Sequence, residues 1–166
     1  CMSTPQSAAV GDRLTYLNDH LAGAKTALEI LDHLIATATD DYRPFLTGIK
    51  EEISQDRDTL QRLLERLGGH QSGVRQIGGW IAGQAGRLKL LLDDPSRGAL
   101  EHFEALELLT IGIHGKRLLW RALGHSNIQA FRDIDFVALE QHATDQHDRV
   151  DAARLAASRR VIADVS

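Results

Sequence analysis

The chain predicts an all-α fold, a four-helix bundle made of two antiparallel hairpins joined by a long crossover that contains a short helix. Apolar side chains recur at helical spacing through four long segments, Gly, Pro and Asp clusters separate those segments, and no stretch shows the alternation of a half-buried strand. At 166 residues with 43% hydrophobic and 25% charged side chains, one domain over 11–163 can bury a core without help from a disulfide or a metal. Residues 1–10 are expected as a disordered leader. Within it Cys1 precedes Met2 and reads as a leftover of expression.

The first helix is expected from about Gly11 to Thr37, with a seam of Leu14, Leu17, Leu21, Ala24, Leu28, Leu31 and Ile35. Thr39, Asp40 and Asp41 supply N-cap candidates for the second, and Pro44 is tolerable in a first turn. Its stripe runs Tyr42, Leu46, Ile49, Ile53, Leu60, Leu63 and Leu67 until Gly68 and Gly69 stop it. The short loop makes the two antiparallel. A third helix follows Asp94-Pro95-Ser96 and ends at Gly124, with a seam of Ala105, Leu109, Gly112, Lys116, Leu119 and Leu123. After a connection holding Ile128 and Phe131, Asp133 or Asp135 caps a fourth whose seam is Phe136, Leu139, Ala143, Gln146, Val150, Ala153 and Ala157. The crossover, residues 69–95, is apolar and rich in glycine. Glycines there disfavour a free-standing helix but permit close backbone approach. Arg75, Arg87 and Lys89 flank it, so it either packs on its own bundle or rests on a partner or a membrane surface.

Charge and composition narrow the function classes. A formal net charge of −4 without a dominant basic patch disfavours nucleic acid as partner. No apolar run reaches the length of a bilayer span and the N-terminus lacks a secretory pattern, so the expectation is a cytoplasmic protein without stable membrane insertion. A single cysteine excludes an internal disulfide framework.

Asp56 is the anomaly in this pattern, because it falls in the apolar row of the second helix where a leucine would serve. An unpaired buried carboxylate costs several kcal/mol, so some other residue must answer it. Lys116 stands in the seam of the third helix, Gln146 in that of the fourth, and His20 at the edge of the first. With the rise of ~1.5 Å per residue, a crossover topology brings His20, Asp56, Lys116 and Gln146 into a slab of roughly 8 Å, whereas a plain up-down order spreads them about twice as far. They are the predicted buried polar centre.

Two hairpins joined by a crossover resemble the ferritin-like superfamily. The resemblance covers about Gly11 to Val161 and rests on architecture and helix lengths. It implies inward-facing carboxylates and Glu-x-x-His pairs that hold two metal ions. This chain has no Glu-x-x-His: the second helix offers Glu52 followed by Asp56 at spacing four, and the fourth offers His142 and Asp145 in reversed order. A lysine at the centre also repels metal and occupies the ligands' space. The resulting expectation is a ferritin-like module without an intact di-metal site, a binding or structural protein with no catalytic residue and no cofactor. Lys116 and Asp56 then form a structural ion pair that sets how the helices align. The alternative is an iron or manganese protein, for iron handling or redox chemistry, with ligands drawn from His20, Glu52, Asp56, Glu104, Glu107 and His142.

Other candidates have simpler readings. Glu101, Glu104 and Glu107 share a face with His114, Arg117 and Arg121 and read as solvated salt bridges. Glu29 and His33 read as an exposed pair, and His142, Asp145 and His147 as a polar surface that could take a stray divalent ion. Leu106, Ile111, Ile113, Leu118 and Trp120 run far around the third helix and suggest homodimerisation through it.

Overall fold

The computed structural model describes residues 5–70, Gly86 and 98–162. Among these residues four long helices account for the architecture and no strand occurs: α1 (Pro5–Thr37), α2 (Arg43–Arg66), α3 (Gly98–Gly124) and α4 (Phe136–Ser158). A single 3-10 turn, Gln129–Phe131, lies between α3 and α4. No helix among the described residues is long and apolar enough to cross a membrane.

The helix ends follow local chemistry, with two departures from expectation. α1 starts at Pro5, six residues ahead of Gly11, because proline suits a first helical position and Ala8-Ala9-Val10 continue the helix without a breaker. At α2 the acidic cluster does not cap. Tyr42 takes the N-cap place without a side-chain hydrogen bond, and Pro44 sits in the first turn. Arg43 instead turns back on α1, its guanidinium donating to the carbonyls of Ile35 (3.1 Å) and Ala38 (2.9 Å), which are among the acceptors a helix C-terminus leaves unpaired. Gly68, at φ +72°, ends α2 in the left-handed region that glycine reaches without strain. Asp135 caps α4, its Oδ1 accepting from the Ala138 amide at 2.9 Å. Asp133 is free for Arg66, which clamps it at 2.6 and 3.0 Å.

Cross-helix contacts give the directions. His33 of α1 meets Glu101 of α3, while Tyr42 lies 5.6 Å from the His102 ring, so the start of α3 is beside the end of α1 and the start of α2. Arg66 at the end of α2 meets Asp133 just before α4. Consequently α2 and α3 run the same way, and α1 and α4 run against them. Of the predicted crossover, 69–95, Gly69, His70 and Gly86 are described; the rest, with Arg75, Arg87 and Lys89, lies outside the described residues.

The core is divided. One cluster packs Ile30, Leu31, Leu34, Leu46, Ile49, Ile53, Leu106, Leu109, Ile113 and Val150; the other packs Leu17, Leu21, Leu60, Leu63, Leu64, Leu119, Trp120, Phe131 and Phe136. Between them each helix contributes a short non-apolar interval: Asp56 on α2 between Ile53 and Leu60, Lys116 on α3 between Ile113 and Leu119, and Gln146 on α4 between Ala143 and Val150. On α1 the same interval, between Leu21 and Ile30, holds the small residues Gly23, Ala24 and Ala27. The predicted seam of α1 is too narrow, since Ile30 and Leu34 are also buried; a helix packed against both α2 and α3 covers more than one stripe.

Candidate functional site

The polar layer is built on α2, α3 and α4. Asp56 is 6% exposed and Gln146 fully buried, the two buried polar residues among those described. The Lys116 ammonium donates to Asp56 Oδ2 and, at 2.5 Å, to Gln146 Oε1. Gln146 passes the contact on, its Nε2 donating to Glu52 Oε2 at 2.9 Å. Arg149 closes the far end with a two-pronged grip on Glu52 at 3.0 and 2.6 Å. Two cations and two carboxylates thus form one chain of charge-assisted hydrogen bonds with an amide in the middle.

Spacing on the helices explains the arrangement. Glu52 and Asp56 are one turn apart on α2, and His142, Gln146 and Arg149 occupy successive turns on one stripe of α4. Because α4 runs against α2, the two stripes meet along their length, with the Lys116 side chain reaching between them from α3. His142 flanks the layer, its ring nitrogens 3.6 Å from Glu52 Oε2 and 3.9 Å from Asp56 Oδ1.

Burial and charge pull the titrations in opposite senses. Burial holds the Lys116 ammonium below the usual lysine range, with Asp56 and Glu52 pulling the other way. Burial would raise Glu52, but hydrogen bonds from Arg149 and Gln146, and the charge of Arg149, outweigh it and leave the carboxyl below its ordinary value. Both salt-bridged carboxylates therefore have donors fixed on them, and the layer is charge-neutral as it stands.

His20 departs from expectation. It lines a cleft together with Asp56 and Lys116, but no hydrogen bond joins it to them among the described residues. It meets the Tyr16 ring edge-on at 4.8 Å instead. The cleft lies between the small residues of α1 and α3 at this level, and the imidazole makes no hydrogen bond to the layer. Burial pushes His20 below the ordinary histidine value, opposed by Asp19.

The alternative ligand set is split as well. Glu52, Asp56 and His142 are neighbours, but Glu104 and Glu107 precede Lys116 on α3 by three and two and a half turns, roughly 18 and 14 Å along the axis. Glu107 is exposed. No group of three or more His, Cys, Asp and Glu among the described residues is arranged to hold a metal ion. Two surface readings are also corrected. His33 does not pair with Glu29, which meets Lys25 at 3.9 Å; it bonds to Glu101, because α1 packs on α3 there. Of the apolar residues proposed for a dimer face, Leu106, Ile113 and Trp120 are at most 2% exposed, whereas Ile111 and Leu118 are 41% and 47% exposed. Packing against α1 and α4 uses the rest of that helix.

Arg149 was not anticipated. Its signal lay in pairing two stripes, Glu52/Asp56 with His142/Gln146/Arg149, where each helix taken alone shows only a polar surface. The cleft was not anticipated either, although Gly23, Ala24 and Ala27 on one helix and Gly112 and Gly115 on another were visible as small residues at helical spacing. The chain matches no family model, no curated protein and no solved structure.

Proposed function

We propose that this chain is a ferritin-like bundle of crossover topology whose centre is neutralised by its own side chains, and that it serves as a binding or structural module with no catalytic step. The observation that supports this reading is the Lys116 ammonium, fastened between Asp56 and Gln146 in the layer that separates the two halves of the core. A cation there answers Asp56 and excludes a second cation from the same space. The parallel course of α2 and α3 supports the topology, since the chain leaves α2 at one end of the bundle and enters α3 at the other. Leu118, 47% exposed on α3, supports a dimer through that helix.

The decisive experiment is metal content: protein purified without added metal is chelated, and iron, manganese and zinc per chain are measured. The expected result is no stoichiometric metal. One observation favours a second reading, because His142 stands beside both Glu52 and Asp56 and could join them on an iron or manganese ion if Lys116 swung away. Stoichiometric metal that survives chelation and is lost in Asp56→Ala would replace the first reading with this one.

A further inference from the structure

A cleft of about 400 Å³ opens between α1 and α3, with α2 behind it. It lies at the level of the polar layer, where α1 contributes small residues in place of a fourth polar group. Gly23, Gly112 and Gly115 all line it, and a Cβ built on any of them would meet nothing within 4 Å. Glycine inside a helix is unfavourable relative to alanine, so close packing does not account for these three. Their effect is to leave space.

The wall is mostly apolar, but Lys116 and His20 on it have hydrogen-bonding capacity to spare. The ring nitrogens of His20 have no hydrogen-bond partner among the described residues. Lys116 uses two of its three N–H groups on Asp56 and Gln146. An oxygen supplied from outside would take up that spare capacity. The cleft carries fixed charges of both signs: Lys116 faces Asp56, Arg57 is held by Asp58, and Asp19 stands beside His20. An added anion would meet Asp19 and Asp56, and an added cation would meet Lys116 and Arg57.

We propose that this cleft binds a small, uncharged, largely hydrocarbon molecule bearing one hydrogen-bond-accepting oxygen, its body over the glycines and its oxygen toward Lys116 and His20. An apolar cavity of about 150 Å³ takes up benzene, so this volume suits a molecule of roughly 15 non-hydrogen atoms. The proposal rests on the binding-module reading and gives that module its ligand class.

The test uses the full chain and a neutral naphthyl ketone, 6-propionyl-2-(dimethylamino)naphthalene, whose emission shifts to the blue on burial. Saturable uptake with equimolar stoichiometry is expected. Gly112→Leu should weaken it at least roughly tenfold without lowering thermal stability, and Gly23→Ala should weaken it less. Val137→Ser, on an exposed side chain of α4, should leave it unchanged. Absence of saturable uptake, as for a cleft filled by the chain between α2 and α3, would overturn the proposal. So would indifference to both glycine substitutions, equal uptake of the matching carboxylate, or uptake that falls as protein concentration rises because a second copy covers the cleft. None of these outcomes touches the metal measurement, which tests the module reading separately.

Discussion

Replacing Lys116 by methionine keeps most of the side-chain volume and removes one charge, which makes it the sharpest probe of the polar layer. Asp56 would remain 6% exposed with only the His142 ring, 3.9 Å away, near its other oxygen. Breaking a buried pair from one side costs about 3–5 kcal/mol, so a loss of roughly 4 kcal/mol is expected for Lys116→Met. Asp56→Leu should cost less, about 2 kcal/mol, because Lys116 keeps Gln146 and can shed its proton. The double variant removes both charges and places two apolar side chains between two apolar clusters, leaving chiefly Gln146 Oε1 without a donor, at about 2 kcal/mol. The pair should therefore fall roughly 3 kcal/mol or more below the sum of the single changes. Urea unfolding reads this directly: with a slope of about 2 kcal/mol per M, the lysine variant's midpoint should drop by roughly 2 M and partly recover in the double variant. Simple additivity of the two single losses would refute the reasoning, since it would mean that the two side chains do not answer each other.

Three further outcomes follow from the same geometry. Gln146→Leu should cost about 2–3 kcal/mol in urea unfolding, because it strips an acceptor from Lys116 and a donor from Glu52 at once; a loss under about 0.5 kcal/mol would show that the bridging amide is dispensable. Acid should weaken the fold in two steps. His20 and His102, both lowered by burial, take up their protons in the unfolded chain near the ordinary value of 6.5 while the folded protein resists, so stability falls as pH drops below that value, and His20→Phe should make this limb shallower. Glu52, held below its ordinary 4.5, contributes stability that is complete above that value and is lost as pH falls through the folded-state value; Arg149→Met should flatten this second limb. Denaturation midpoints taken across pH would show either limb unchanged if the assignment is wrong. Finally, Gly68→Ala should destabilise by about 1–2 kcal/mol because of its positive φ, while Gly112→Ala should stabilise by about 0.5–1 kcal/mol, a contrast that thermal melts would reveal.

Helix period made the four segments and their breaks legible: the buried residues of α2 are nearly the stripe read from spacing, and Asp56 stood out as the flaw in it. Lys116 and Gln146 were visible for the same reason, as polar side chains in apolar rows. What periodicity could not supply is which faces of different helices meet. Arg149 looks like an ordinary surface residue on its own helix, and only the antiparallel course of α2 and α4 makes it the partner of Glu52. His20 failed in the opposite way. Its height along the bundle was estimated from rise per residue, but height says nothing of lateral direction, and its ring turns to Tyr16 on its own helix. Caps were misjudged at α2, where Tyr42 takes the N-cap place without a side-chain hydrogen bond and Arg43 reaches the neighbouring helix terminus.

A core split into two greasy halves has a bearing on how the molecule breathes. Each half can loosen while the other stays dry, because the hydrogen-bonded charges between them are the one stratum that tolerates a little water. Amide hydrogens around Leu31, Leu46 and Leu109 should then exchange as one block and those around Leu64, Leu119 and Phe136 as another, with a hinge of faster opening where α1 carries only hydrogen and methyl groups toward its neighbours.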